Sequence, residues 1–124
     1  MSLFIRGMIN LHSGGTSDFK IECDALTDED LETLAYLGSR IVGEFSSVEG
    51  VPMGGLRFAE YMKKYASTKG PLLIVDDVMT TGNSMWNHKG DRDAKGLVIF
   101  DRWGFPSGWI SSILQLNPSL TRLE

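Results

Sequence analysis

Two adjacent aspartates and a run of hydroxyl and glycine residues form the segment of the chain that is best equipped for chemistry. Asp76 and Asp77 follow the apolar run at 72–75, and residues 80–84 read Thr-Thr-Gly-Asn-Ser. Carboxylates accept hydrogen bonds from sugar hydroxyls or hold a hydrated magnesium ion, but they repel phosphate. Hydroxyls and convergent backbone amides bind phosphate, and a glycine lets the backbone curl around it. The segment predicts a site for a phosphorylated sugar.

The same residues also fit a structural role. Asp76 and Asp77 could merely end a strand, and residues 80–84 could form an ordinary turn, because their types are common in turns. The whole string 72–84 is more specific, since it combines an apolar run, paired carboxylates and a Thr-Thr-Gly loop in one order. It is not a Walker loop, which needs a Gly-Lys-Ser/Thr sequence, and the chain has no G-x-G-x-x-G dinucleotide fingerprint.

Apolar runs of strand length predict the sheet that positions this segment. Residues 72–75 and 97–100 are continuous apolar runs of the kind found in buried parallel strands. Residues 45–49 could form a weaker strand, and the alternation of apolar and polar residues at 19–24 predicts a short one. Parallel strands place their carboxyl ends at one edge, which is where open α/β sheets bind ligands. We therefore expect the acidic pair to lie at such an edge.

Helical patterns alternate with these strands. Thr27 and the three acidic residues after it predict a helix start, and apolar residues at three- and four-residue intervals continue to about Gly43. A second helical face is predicted at 58–66. The polar stretch 86–95 is a poor helix, whereas the spacing at 109–116 indicates a last helix. This alternation predicts an α/β fold with an open, mainly parallel sheet and flanking helices.

Length, composition and charge exclude several classes of protein. With 124 residues, 42% hydrophobic and 23% charged, the chain is expected to form a single domain spanning 1–124. A net charge of −4 argues against a nucleic-acid partner. No apolar run approaches the roughly 20 residues of a membrane span and no signal pattern opens the chain, so we expect a cytoplasmic protein without a membrane partner. Cys23, the only cysteine, is expected to be a small buried residue.

Four segments resemble the type I phosphoribosyltransferases, most closely the orotate phosphoribosyltransferases. Residues 72–84 look like the motif that binds phosphoribosyl pyrophosphate (PRPP), and residues 11–19 are similar to the N-terminal hood segment. Residues 50–55 resemble the pyrophosphate loop, although an ordinary turn explains them equally well when they are taken alone. Asp101-Arg102 resembles the base-side pair after a later strand. The resemblance implies a reduced fold of this type, with a hood-like segment at 1–25 and a core at 26–124.

The resemblance also implies a role for each matching residue. Asp76 and Asp77 are the implied catalytic residues, and the implied cofactor is Mg²⁺, held through substrate and water without a direct protein ligand. The ribose and phosphate of PRPP are assigned to Asp76, Asp77, Thr80, Thr81, Gly82, Asn83 and Ser84. The pyrophosphate is assigned to backbone groups of Val51, Pro52, Met53, Gly54 and Gly55. A pyrimidine base such as orotate is assigned to Arg102, Phe19 and Lys20.

The arginine suits the carboxylate of orotate, because its guanidinium can donate two parallel hydrogen bonds to a carboxylate. Alternatively, Arg102 forms a surface ion pair with Asp91, Asp93 or Asp101.

One part of the orotate enzymes is missing from this chain. The resemblance implies a mobile loop with a lysine that helps to neutralise the leaving pyrophosphate, but only a few residues separate the second helix from the strand at Leu72. Met53 also stands where a cationic or hydroxyl side chain is expected. Lys63, Lys64 and Lys69 match no motif and are expected on the solvated surface. Arg57, just beyond residues 50–55, is the first candidate to replace the missing charge.

Three functions remain open at this point. The first is a phosphoribosyltransferase acting on orotate or a similar base, and the second is a non-catalytic module that senses PRPP or a nucleotide. The third, a receiver of phosphoryl groups on an aspartate, is weaker because residues 80–84 already account for a bound phosphate. We also expect a homodimer that buries Trp86, Trp103 and Trp109, although these side chains could instead lie in the monomer core.

Overall fold

A four-stranded parallel sheet forms the centre of the protein. The structure is a computed structural model that describes residues 1–10, 16–102 and 108–116. The strands are β1 (Phe4–Asn10), β2 (Thr16–Ile21), β3 (Ser47–Gly50), β4 (Leu72–Met79), β5 (Ala94–Asp101) and β6 (Ile110–Gln115). The helices are α1 (Asp28–Val42), α2 (Gly55–Met62) and α3 (Asn83–Lys89), and single 3₁₀ turns lie at Cys23–Ala25 and Lys63–Tyr65.

The sheet has the strand order β3-β4-β5-β6, and all its neighbours are parallel. β4 lies inside the sheet, where Gly50 pairs with Val75 on one side and Met79 pairs with Asp101 on the other. Helices cover both faces, so the side chains of Leu73, Ile74 and Val75 are fully buried regardless of the face they occupy. The predicted open, mainly parallel α/β sheet is confirmed.

Two apolar clusters hold the helices on the sheet. The larger cluster lies under α1 and α2 and contains Leu34, Phe45 and Phe58 among its buried residues. The smaller cluster includes Met85 of α3 together with Val98 of β5. Among the described residues, α1 and α2 therefore pack on one face of the sheet and α3 packs on the other.

Local signals account for α1 from end to end. Thr27 accepts a hydrogen bond from the Asp30 amide at 3.0 Å, and Asp30 accepts one from the Thr27 amide at 2.9 Å, which completes a capping box. Gly43 ends the helix with a φ of 72°, a left-handed value that suits glycine. The prediction of a helix from Thr27 to about Gly43 is confirmed.

Other elements differ from the sequence-based predictions. The expected last helix is wrong: residues 110–115 form β6, which completes the ladder along β5. A short apolar run is compatible with both helical and strand periodicity. Here the edge of β5 offered backbone hydrogen-bond partners, and residues 110–115 pair with them as a strand. Of the stretch 86–95, which the sequence predicts to be a poor helix, residues 86–89 lie in α3 and residues 94–95 begin β5. The N-terminal strand β1 was not predicted.

The N-terminal residues form a separate antiparallel hairpin of β1 and β2, followed by the 3₁₀ turn at Cys23–Ala25. The Phe4 ring meets the Phe100 ring edge-on with centroids 6.3 Å apart, which places the hairpin near the carboxyl end of β5. The hairpin corresponds to the hood-like segment expected at 1–25. In the described part of the chain, no helix is long and apolar enough to span a membrane.

Candidate functional site

The acidic pair lies within the last part of β4 rather than after its end. Asp76 pairs with Val98 of β5, and the strand continues to Met79. The Asp76 side chain is buried, whereas Asp77 is partly exposed. Because successive side chains of a strand point to opposite faces, the two carboxyl groups have different surroundings although they are neighbours in sequence.

Burial changes the chemistry of Asp76. The loss of solvent is the main cause, and the charge of Asp77 adds to it, so the pKa of Asp76 is raised from 3.8 to about 8. One oxygen of its carboxyl accepts a hydrogen bond from the Asp77 amide at 2.8 Å, which partly opposes the shift. At neutral pH the Asp76 carboxyl is therefore mainly protonated and can donate a hydrogen bond to a ligand oxygen.

The 80–84 loop offers hydroxyls and backbone amides at the end of β4. Gly82 has a φ of 86° and stands at the N-cap of α3, where no side chain caps the helix. The Asn83 amide donates to the Thr81 hydroxyl at 3.2 Å, while the amides of Gly82 and Ser84 have no acceptor among the described residues. Thr81 and Ser84 are exposed. These groups can bind an anion such as a monophosphate.

The 51–55 loop is pressed against the end of β4. The Val51 amide donates to the Val75 carbonyl at 2.9 Å, and the peptide bond between Pro52 and Met53 is cis. A Cβ atom added to Gly54 would lie 2.3 Å from a carboxylate oxygen of Asp77, and one added to Gly55 would lie 2.5 Å from the Val75 carbonyl oxygen. At Gly55 a side chain would collide with the backbone of β4, whereas at Gly54 it would displace the Asp77 carboxylate, so both glycines keep the loop beside the acidic pair.

A small cleft of about 70 Å³ opens between this loop, the 3₁₀ turn at 23–25 and the first turn of α2. It is lined by Cys23, Asp24, Leu26, Leu31, Met53, Gly54, Arg57, Phe58, Asp77 and Ile99. Cys23 is only partly buried, which corrects the expectation of a buried residue. Burial first and then the charge of Asp77 raise the pKa of its thiol, so the thiol is neutral.

Arg102 joins the end of β5 to the hairpin. Its side chain is buried, so the alternative of a surface ion pair is wrong. Its Nη2 donates to the Ser17 hydroxyl and, at 3.1 Å, to the Phe19 carbonyl, while the guanidinium carbon lies 3.9 Å from the centroid of the Phe19 ring. Burial lowers the pKa of Arg102, although the charge of Asp18 opposes that change.

Only part of the predicted base-binding set comes together. Phe19 and Arg102 are in contact, but Lys20 is exposed and forms an ion pair with Glu22 at 3.2 Å. Residues 11–15 of the hood-like segment and Trp103 lie outside the described residues. The three lysines expected on the surface are exposed, and Lys63 pairs with Glu60 at 2.7 Å.

The fit of a magnesium ion, which the resemblance implies, depends on Asp76 and Asp77. Among the described residues, no group of three or more His, Cys, Asp or Glu side chains could hold a metal. A mainly protonated Asp76 is a poor direct ligand, whereas Asp77 borders the cleft. Asp77 is therefore the residue that would hold a hydrated magnesium ion at this site.

Two contacts that shape the site could not be anticipated from local patterns. Ser17 holds Arg102 across a sequence separation of 85 residues, and Asp28 holds Arg57 across 29. The sequence places Ser17 only in the hood-like segment at 11–19 and Asp28 only at a helix start. Neither position carries a signal that would identify its distant partner.

Comparisons with known proteins give a structural likeness without a sequence match. The sequence matches no family model and no curated protein. The crystal structure of orotate phosphoribosyltransferase from Aeropyrum pernix is similar with a TM-score of 0.73 and 24% identity, covering 92% of this chain and 88% of that chain.

Two further structures agree with this likeness. The orotate phosphoribosyltransferase of Mycobacterium tuberculosis H37Rv, in complex with Fe(III) dicitrate, has a TM-score of 0.65 and 16% identity, with 91% of this chain and 89% of that chain covered. A phosphoribosyltransferase from Corynebacterium diphtheriae has a TM-score of 0.64 and 13% identity, with coverage of 87% and 88%. The chain therefore has the fold of the type I phosphoribosyltransferases, close to that of the orotate enzymes.

Proposed function

We propose that this protein is a phosphoribosyltransferase that binds PRPP with magnesium and transfers the phosphoribosyl group to orotate or a similar pyrimidine base. One observation carries the proposal: the acidic pair, the 80–84 loop and the 51–55 loop meet at the carboxyl edge of the sheet. They are the parts that a sugar bearing a monophosphate and a pyrophosphate requires. The fold shared with orotate phosphoribosyltransferases supports the same assignment.

Each part has a distinct task in this proposal. The hydroxyls of Thr81 and Ser84 and the nearby amides bind the 5′-phosphate, because they donate hydrogen bonds without adding negative charge. The protonated Asp76 can donate to a ribose oxygen, and Asp77 can accept from a ribose hydroxyl. Backbone groups of the 51–55 loop face the pyrophosphate. Magnesium, when bound on the phosphate oxygens, supplies charge that offsets the pyrophosphate.

The reaction breaks the bond between the anomeric carbon and the pyrophosphate oxygen, and both bonding electrons leave with that oxygen. A ring nitrogen of the base forms the new bond to the carbon and loses its proton to water. Such a displacement depends on alignment of the two reactants and on groups placed in advance around the developing charge. The loops on the carboxyl edge supply this alignment.

The base is assigned to the space between the hairpin and the carboxyl edge. Phe19 offers an aromatic ring, and Arg102 is held against it at the end of β5. We propose that the Arg102 guanidinium binds the carboxylate of the base. Lys20 is the next residue of β2, so its side chain lies on the opposite face from Phe19, and it forms an ion pair with Glu22. We therefore propose no contact between Lys20 and the base.

Calorimetry and a pyrophosphate-release assay test the proposal. PRPP should bind only with magnesium, and ribose 5-phosphate should bind more weakly. Thr81→Ala and Ser84→Ala should each cost about 1–3 kcal/mol of PRPP binding, because a charged acceptor loses a donor. Ser111→Ala is the matched control, because it removes an exposed hydroxyl from β6 outside the proposed site and should leave PRPP binding unchanged.

The outcomes separate the functions that were left open. Pyrophosphate release that depends on orotate supports the transferase. Binding of PRPP without turnover on any pyrimidine base would indicate the sensing module instead, and an acyl phosphate formed without PRPP would indicate a receiver. Unchanged affinity in both loop variants would remove the site assignment.

A further inference from the structure

The cleft beside the 51–55 loop contains one cation among acidic side chains. Of the described residues that line it, Arg57 alone is positively charged, whereas Asp24 and Asp77 are acidic. A pyrophosphate group carries several negative charges, so carboxylates at short range oppose its binding unless positive charge lies close to it. Apart from a bound metal and backbone dipoles, Arg57 is the one group among the described lining residues that can offer this charge.

Contacts on one side hold the guanidinium of Arg57 in place. Its Nη1 donates to the Leu26 carbonyl at 2.8 Å, and its Nη2 donates to a carboxylate oxygen of Asp28 at 3.0 Å. The Tyr61 hydroxyl donates to the same oxygen at 2.6 Å. The hydrogen bond from Tyr61 and then that from Arg57 lower the pKa of Asp28, which keeps this carboxylate ionised.

These contacts leave donor capacity for a ligand. A guanidinium has five N–H groups, and the two hydrogen bonds described use two of them. The Arg57 side chain is 43% exposed and belongs to the first turn of α2, immediately after the 51–55 loop. Because the group is already oriented, it loses less conformational freedom when it binds an anion than an unrestrained surface lysine would.

We propose that Arg57 binds the pyrophosphate group of PRPP and offsets the charge that develops on it as it leaves; the proposal rests on the function proposed above. When the bond from the anomeric carbon to the pyrophosphate oxygen breaks, the bonding electrons pass to that oxygen. Arg57 donates charge-assisted hydrogen bonds to the leaving group and transfers no proton. Its task differs from that of the 80–84 loop, which binds the 5′-phosphate at the other end of the substrate.

Calorimetry with three probes tests this assignment: PRPP with magnesium, inorganic pyrophosphate with magnesium, and ribose 5-phosphate. Arg57→Gln should weaken the first two by about ten- to a hundredfold, the range for a lost charge-assisted hydrogen bond, and should leave ribose 5-phosphate unchanged. Arg57→Lys should recover part of the loss. Lys63→Gln removes the same charge from the far end of α2, outside the cleft lining, and should change no affinity.

A second control separates ligand binding from packing. Asp28→Asn weakens the ion pair that links α1 to α2 but keeps the arginine. Equal losses for all three probes in Arg57→Gln, or the same losses in Asp28→Asn, would show that Arg57 acts through this helix contact and would overturn the proposal. Wild-type affinity for pyrophosphate in Arg57→Gln would overturn it as well.

Failure of the underlying function has a different signature. If the wild-type protein binds neither PRPP nor ribose 5-phosphate, both the proposed function and the proposed role of Arg57 are wrong. If Arg57→Gln binds all three probes as the wild type does, only the role of Arg57 is wrong. Turnover provides a further readout, because loss of a leaving-group contact should lower kcat as well as PRPP affinity.

Discussion

The buried carboxyl of Asp76 should make the stability of the protein fall as the pH rises through neutrality. Its pKa is about 8 in the folded chain and 3.8 in the absence of the fold. The folded state therefore retains a proton that the unfolded chain has released between these values. The stabilisation is fully present below the unfolded pKa, and it is lost as the pH rises through the folded pKa.

The size of the effect follows from the same two values. A difference of one bound proton corresponds to about 1.4 kcal/mol per pH unit. Between about pH 6 and about pH 7.5 the folded Asp76 is mostly protonated and the unfolded one is ionised, so the wild type should lose about 2 kcal/mol of unfolding free energy. Asp76→Asn removes the titration but keeps a carbonyl oxygen that can accept from the Asp77 amide.

Urea denaturation at several pH values measures the prediction. The unfolding free energy of Asp76→Asn minus that of the wild type should rise by about 2 kcal/mol across this window, because all other titrating groups are common to both proteins. Asp77→Asn removes the second cause of the shift, so its pH dependence should move to lower pH. Parallel curves for the wild type and Asp76→Asn would show that the Asp76 carboxyl is ionised in the folded state and refute the reasoning.

Three further predictions concern turnover, the base and assembly. With Arg57 in place of the loop lysine, turnover should still be about a hundredfold below that of a complete orotate enzyme under the same conditions, and equal rates would show that Arg57 or another cation compensates fully. Arg102→Ala should reduce orotate binding much more than uracil binding, and equal losses would show that Arg102 only holds the hairpin. Trp86 is 49% exposed beside Trp109, so we expect a homodimer in analytical ultracentrifugation and a weaker one for Trp86→Ala. A monomeric wild type would contradict this.

Several features of the fold follow from local patterns. The string 72–84 combines a buried strand, paired carboxylates and a glycine-containing loop, and its strand lies inside a parallel sheet. The capping box at Thr27 and the left-handed Gly43 bound α1 as the sequence predicts. These features could be predicted because residues close together in the chain determine them. The signals are the periodicity of an apolar face, a side chain that caps the end of its own helix, and a glycine where φ is positive.

The tertiary structure alone decided which role an ambiguous segment or a long side chain would take. Residues 110–115 became β6 because β5 offered unpaired backbone groups, which their own spacing could not reveal. Arg102 became buried against Ser17 and Phe19, and Arg57 was brought to Asp28, through contacts between residues far apart in the chain. The protonation of Asp76 was decided in the same way. Its pKa depends on how far the surrounding strands and helices exclude water from the carboxyl group, and the sequence does not show this exclusion.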